Sequence, residues 1–162
     1  MTGRVCCFNS FWGLERAQCI PPNFKLVGSL NKPQNALIER LIEKDKVLYD
    51  WLEEAQTLKM DVVLVSIGTI CRFQKWSLDA LHEGLKALKN TRVIWSLKDN
   101  LCEMASNDPR KTKDFWVGSW LPQVEVLAHP AIKLAIIHCG WGSVLEIIDA
   151  GVPTLNFPHF GD

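Results

Sequence analysis

Three stretches of this chain are apolar at nearly every consecutive position: residues 62–67 (VVLVSI), 93–97 (VIWSL) and 134–137 (LAII). A strand with one wet face alternates polar and apolar residues. A strand without that alternation must be covered on both faces, which is the condition of a parallel sheet. The intervening segments carry the other period. Leu78, Leu81, Leu85 and Leu88 recur at helical spacing, and that helix ends near Asn90. Upstream, Leu37, Ile38, Leu41 and Ile42 predict one helix, and Val47, Leu48, Trp51, Leu52 and Ala55 a second. Residues 143–150 predict a further helix and 153–157 a fourth strand, while 100–113 read as a short helix followed by loop. A short strand beginning at Lys25 leaves into a linker flanked by Pro21, Pro22 and Pro33. Strands alternating with helices imply right-handed βαβ units and an α/β, doubly wound parallel sheet.

Composition narrows the partners. Eighteen basic residues balance eighteen acidic ones in 162, so the chain has no electrostatic footprint for nucleic acid or an anionic membrane. The cluster Arg110-Lys111-Thr112-Lys113 reads as solvated surface. No apolar run approaches the roughly 20 residues that cross a bilayer, and residues 1–13 make a poor signal peptide. The six cysteines show neither a Cys-x-x-Cys pair nor metal-finger spacing, so they are expected as buried thiols in a reducing compartment.

In open α/β sheets ligands sit beyond the carboxyl ends of the strands. That rule gathers Gly68-Thr69, the segment His138-Cys-Gly-Trp-Gly-Ser143 and the turn after Phe157 on one rim. Gly140 and Gly142 permit close approach of backbone to a ligand, and the helix that follows presents free N–H groups at its positive end. The third glycine of the dinucleotide fingerprint is missing. Each residue alone has a plainer reading. Ser143-x-x-Glu146 before an apolar helix is a capping box, with Gly151 as its stop. His138 at a strand end suits a core histidine, and a lone Trp120 suits packing.

Taken in order, the residues are more specific. Trp120-x-Pro-Gln123, Leu127, His129-Pro130, His138-Cys-Gly-Trp141, Ser143, Glu146, Gly151-Val-Pro, Pro158 and Asp162 follow one another without a gap. This series resembles the signature of the UDP-glycosyltransferases, most closely their plant secondary-product branch. Pro21-Pro-Asn-Phe-Lys-Leu-Val-Gly28, Trp51-Leu52, Val65-Ser-Ile-Gly-Thr69 and Val93-Ile-Trp95 extend the likeness over almost the whole chain.

The resemblance implies a Rossmann-like sheet forming the C-terminal half of a GT-B glycosyltransferase. Residues 1–33 would be the end of an acceptor domain with its linker, and 34–162 a partial donor-binding domain. Trp120 would stack on uracil, with backbone near Gln123 reading the base edge. Glu146 would accept from the ribose hydroxyls. His138, Ser143, Gly142 and Thr69 would contact the diphosphate, and Trp141 and Asp162 would position the sugar. Where this chain has Gly142 the family often has Asn. The implied reaction is inverting transfer of a hexose from a UDP-sugar to a hydroxyl of a small lipophilic acceptor, without metal or other cofactor. The general base would be a histidine of a preceding N-terminal domain, so the catalytic residue is not among these 162, and the chain by itself is expected to be inactive. His82, His129 and His159 do not match that base by position. A partner chain supplying the acceptor domain, or a non-catalytic UDP-sugar-binding fragment, are the alternatives. Plant likeness implies the cytoplasm; an animal-like parent would be membrane-associated.

Overall fold

In the computed structural model, residues 3–30, 34–68, 74–98 and 112–158 are described. They form two units, residues 1–32 and 33–162. In the first, strand β1 (Cys6–Phe8) pairs in parallel with β2 (Phe24–Leu26). Phe8 stacks on Phe24 at 5.2 Å between ring centroids, and the buried Ser10 hydroxyl donates to Glu15 Oε1 at 2.8 Å.

The second unit opens with helices α1 (Gln34–Lys44) and α2 (Lys46–Thr57). Asp45 separates them and caps α2, its carboxylate accepting from Leu48 N at 3.0 Å. There follow β3 (Asp61–Ser66), α3 (Lys75–Lys86), β4 (Thr91–Ser96), β5 (Phe115–Gly118), α4 (Gln123–Leu127), β6 (Ile132–Ile137), α5 (Trp141–Ala150) and β7 (Thr154–Asn156). The five strands form one parallel sheet in the order β5-β4-β3-β6-β7. Strands β3, β4 and β6 fall where the apolar runs predict them. The polar segment expected as a short helix and loop lies mostly outside the described residues.

Side chains alternate across the sheet, and both faces are apolar. Val62, Leu64, Ile94, Ala135 and Ile137 pack with Leu41 of α1, Leu48 and Leu52 of α2, Val126 of α4 and Ile147 of α5. Val63, Val65, Val93, Trp95 and Ile136 point the other way, onto Leu78 and Leu85 of α3. Helices on both faces make the sheet doubly wound, as its apolar runs require. Between α3 and the β6–β7 side lies an apolar groove of about 710 Å³, bordered by Trp76, Leu81, Leu134, Ile136, Leu155 and Phe157.

Buried polar side chains hold the helices against the strands. Arg92 of β4 donates to Trp51 O at 2.9 Å and to Glu54 Oε2 at 2.7 Å, with its guanidinium over the Trp51 ring. His129, which follows α4, is buried; its Nδ1 accepts from Ala131 N at 3.2 Å and its Nε2 lies 2.9 Å from Glu53 Oε1. The Ala131 contact makes Nδ1 the acceptor, so Nε2 carries the proton of the neutral ring. The cysteine expectation needs correction. The four described cysteines are free, but Cys7 and Cys19 are exposed and Cys6 and Cys139 half-buried. They lie in loops and on a three-residue strand outside both apolar layers, so nothing covers them as a core residue is covered.

Burial pulls the His129 pKa below the ordinary value of 6.5, against the Glu53 hydrogen bond and charge, which raise it. With the folded pKa depressed, the unfolded chain binds the proton more tightly. The His129 contribution to stability is therefore complete above pH 6.5 and is lost as pH falls through the folded value. Denaturant midpoints measured from pH 7.5 to pH 5 should decline, and His129→Gln should flatten that part of the profile.

Candidate functional site at the carboxyl rim

Because all five strands run the same way, their carboxyl ends line up. The pairing registers place Gly118, Ser96, Ser66, Ile137 and Asn156 side by side across the sheet. The chain builds β3, β4 and β5 outward in one direction and then returns to lay β6 and β7 on the other side of β3. The strand order reverses between β3 and β6, the place where doubly wound sheets open a crevice for ligands.

His138 sits in that crevice. It follows β6, and its ring lies against Gly68, which follows β3, and against Gly140 ahead of α5. A Cβ at Gly68 would come within 2.7 Å of His138 Nε2, and one at Gly140 would collide with the same atom. Gly68 also has φ +68°, so both its backbone and its missing side chain are needed there. The His138 Nδ1 is buried and has no hydrogen-bond partner among the described residues.

The capping-box reading of Ser143 and Glu146 does not hold. Helix α5 begins at Trp141, two residues before Ser143, and its N-cap is Gly140, without a side-chain cap hydrogen bond. Ser143 is therefore inside the first turn. Val144 N already bonds Gly140 O at 3.1 Å. The N–H groups at the helix start thus have no intrahelical acceptor and carry the positive end of the helix dipole toward the rim. Gly142 lies in this turn, and a Cβ there would meet nothing within 4 Å. Gly151 does stop the helix as expected, in the left-handed region at φ 66°.

Ser143 and Glu146 are instead tied to α4. The Gln123 amide Nε2 donates to Glu146 Oε2 at 2.7 Å and to Ser143 Oγ at 3.1 Å. Burial raises the Glu146 carboxyl above 4.5; the Gln123 hydrogen bond opposes this, and the neighbouring Glu125 charge adds to it. Trp120, two residues past the end of β5, is 69% exposed, and Trp141 is 44% exposed. The rim thus collects Trp120, Gln123, His138, Trp141, Gly142, Ser143 and Glu146. Thr69 and Asp162 lie outside the described residues, as does His159. His82 is buried in the other layer against Trp95 and Phe115, remote from this chemistry. No group of three or more His, Cys, Asp or Glu with metal-binding geometry occurs among the described residues.

The residues that sequence reasoning misses are Arg40, Lys44 and Glu125. Glu125 is buried on α4, and its Oε1 receives Lys44 Nζ at 2.7 Å and Arg40 Nη2 at 3.2 Å, both from α1. Burial would raise this carboxyl, but the Lys44 hydrogen bond with the Lys44 and Arg40 charges hold it below 4.5. No local signal in the sequence joins positions 81 residues apart.

Two outcomes follow from this packing. Gly68→Ala should destabilise the fold by about 1–3 kcal/mol in denaturant titrations, and adding His138→Ala should recover part of the loss by clearing the ring. A carboxyl whose folded pKa is raised removes stability as pH rises through that pKa. Glu146→Gln should therefore raise the melting temperature by about 1–3 °C at pH 7. The gain should shrink at pH 4, where the carboxyl is protonated; calorimetry at the two pH values checks both.

Comparison with known proteins matches this geometry to a family. The family model described as UDP-glucoronosyl and UDP-glucosyl transferase matches residues 2–162. An anthocyanidin 3-O-glucosyltransferase of Solanum melongena is 37% identical over 114 residues, covering 69% of this chain and 26% of that protein. A flavonol 3-O-glucosyltransferase of Arabidopsis thaliana is 33% identical over 130 residues, covering 79% and 28%. The chain therefore spans about a quarter of the length of these curated relatives. Among solved structures, Os79 from O. sativa in complex with UDP superposes with a TM-score of 0.66 at 32% identity, covering 86% of this chain and 31% of that one. The helix-flanked parallel sheet is the Rossmann-like architecture of the C-terminal half of a GT-B glycosyltransferase. The chain belongs to the UDP-glucoronosyl and UDP-glucosyl transferase family.

Proposed function

We propose that residues 34–162 form most of the donor-binding half of an inverting glycosyltransferase. It would move a hexose from a UDP-sugar to a hydroxyl of a small, lipophilic acceptor. The observation that carries this reading is the common rim, where an exposed indole, a half-buried carboxylate and an uncapped helix start lie together. These groups suit the three parts of a nucleoside diphosphate. Residues 1–33 are then the end of the acceptor domain and the linker. The names of the relatives support the chemistry: Os79 was solved with UDP, and the eggplant and Arabidopsis proteins are named 3-O-glucosyltransferases.

In this mechanism Trp120 stacks on the uracil, whose edge meets backbone near Gln123. Glu146 accepts from the ribose hydroxyls. Those donors replace the water that burial has removed, so the raised carboxyl gains most from a bound ribose. The diphosphate lies over the start of α5, held by backbone N–H groups at Gly142 and Ser143, by the Ser143 hydroxyl and by His138, and Thr69 donates to it as well. Trp141 and Asp162 orient the sugar. An acceptor oxygen attacks the anomeric carbon from the side opposite UDP; the carbon–oxygen bond to UDP breaks and the acceptor proton passes to a base. The negative charge that grows on UDP is stabilised by the positive end of α5, which supplies the charge compensation without a metal. The base comes from an N-terminal acceptor domain, so the 162-residue chain binds donor and transfers nothing by itself. That domain, on the same polypeptide or on a partner chain, completes the enzyme. Plant likeness favours the cytoplasm; no described helix is long and apolar enough to cross a membrane.

Calorimetric titration of the chain should show sub-millimolar UDP affinity, with Trp120→Ala weaker by about 1–3 kcal/mol, or roughly fivefold to 150-fold. Absence of UDP binding in that range, or an unchanged Trp120→Ala constant, removes the donor-site reading.

A further inference from the structure

The cluster of Lys44, Arg40 and Glu125 is not part of the site as the signature defines it, yet it touches Trp120 and shares a helix with Gln123. Glu125 lies on the same short helix as Gln123, the residue that holds Ser143 and Glu146. Its carboxylate is buried and takes both cations of α1 on one oxygen. Lys44 has a second engagement. Its Nζ lies 5.9 Å from the centroid of the Trp120 ring, within the range of a cation–π contact. One ammonium therefore joins a buried carboxylate to an indole that is more than two-thirds exposed.

Two physical needs are met by this arrangement. Helix α4 has five residues, far too few to hold its own conformation, so its orientation must be set by tertiary contacts. The ion pairs to α1 provide one contact on the side away from Gln123. The Trp120 ring belongs to a residue that is mostly exposed, and the ammonium over it supplies a contact that selects its orientation. Glu125 also bears on Glu146 as a like charge, and Lys44 and Arg40 offset that charge where it arises.

We propose that Lys44, braced on Glu125 beside Arg40, is a positioning residue of the nucleoside-diphosphate site, holding the Trp120 ring and helix α4 in place for the base and ribose. This rests on the donor-site reading above. It makes no contact between Lys44 and the ligand itself. The role is selective: it serves the base, which meets Trp120, and the ribose, whose partner Glu146 is held by Gln123 of α4, and not the phosphates, which meet the backbone N–H groups at the start of α5.

The test uses the 162-residue chain, with UDP and inorganic pyrophosphate titrated against wild type, Lys44→Met, Lys44→Arg and the pair Lys44→Met/Glu125→Gln. The expected result is a loss of about threefold to tenfold in UDP affinity for Lys44→Met, with pyrophosphate affinity unchanged. Lys44→Arg, which retains the cation, should restore most of the loss. The double variant removes the buried charge along with its partner. It keeps the question answerable if Lys44→Met alone fails to fold, and it too should lose UDP affinity selectively. Equal weakening of both ligands, no weakening, or no rescue by arginine overturns the proposal. Wild-type chain that ignores UDP instead overturns the donor-site reading beneath it, and a wild type that binds UDP in a Trp120-dependent way keeps the two failures apart.

Discussion

The pairing of β3 with β6 is the interaction on which the rest of the second unit depends. It joins the two directions in which the chain winds, and it sets the ends of strands 71 positions apart at the same height, Ser66 beside Ile137. From that pairing follow the packing of His138 against Gly68 and the position of the α5 start beside it. A slip of one residue would turn each strand's side chains to the opposite layer. The ladder does shift once, between Val62 and Val63, at the end of the strand away from the rim. Toward the rim, from Val63 to Ser66, the register is regular.

Around that rim two carboxylates are driven apart by their surroundings. Glu125 has two cations on it and is held ionised; Glu146 has one neutral amide and is pushed toward protonation. The first contributes to a stable helix pair, while the second detracts locally from stability. Such asymmetry is common where a protein keeps a polar group ready for a ligand. It also explains why Gln123 matters beyond its backbone. Its amide joins α4 to α5, so the segment that follows Trp120 and the start of α5 are linked by hydrogen bonds.

The layers were legible in the sequence because residues 62–67, 93–97 and 134–137 are apolar at nearly every position, and the helix between the first two repeats leucine at the right period. Strand β5 was not. Its four residues, Phe115 to Gly118, are too few to display a period, and only pairing with β4 makes them a strand. Helix α4 was hidden for the same reason. The Ser143-x-x-Glu146 spacing misled because a capping box and two residues one turn apart inside a helix have the same sequence; the helix start at Trp141 decides between them. Of the ordered series, Trp120, Gln123, His138, Trp141, Ser143 and Glu146 lie on the rim, whereas Leu127 and His129 are buried in the interior. The series had no means of showing Lys44 and Arg40, whose partner is brought to them by the fold alone.

The three glycines Gly68, Gly140 and Gly142 are not equivalent, and the difference bears on how such a protein changes over time. At Gly68 and Gly140 the imidazole occupies the space a side chain would need. At Gly142, in the first turn of α5 and facing the rim, the space is empty. A larger residue there alters what the rim presents to a ligand and leaves the interior untouched. Selection can thus adjust recognition at this position independently of folding, while its two neighbours are held fixed by the interior they close.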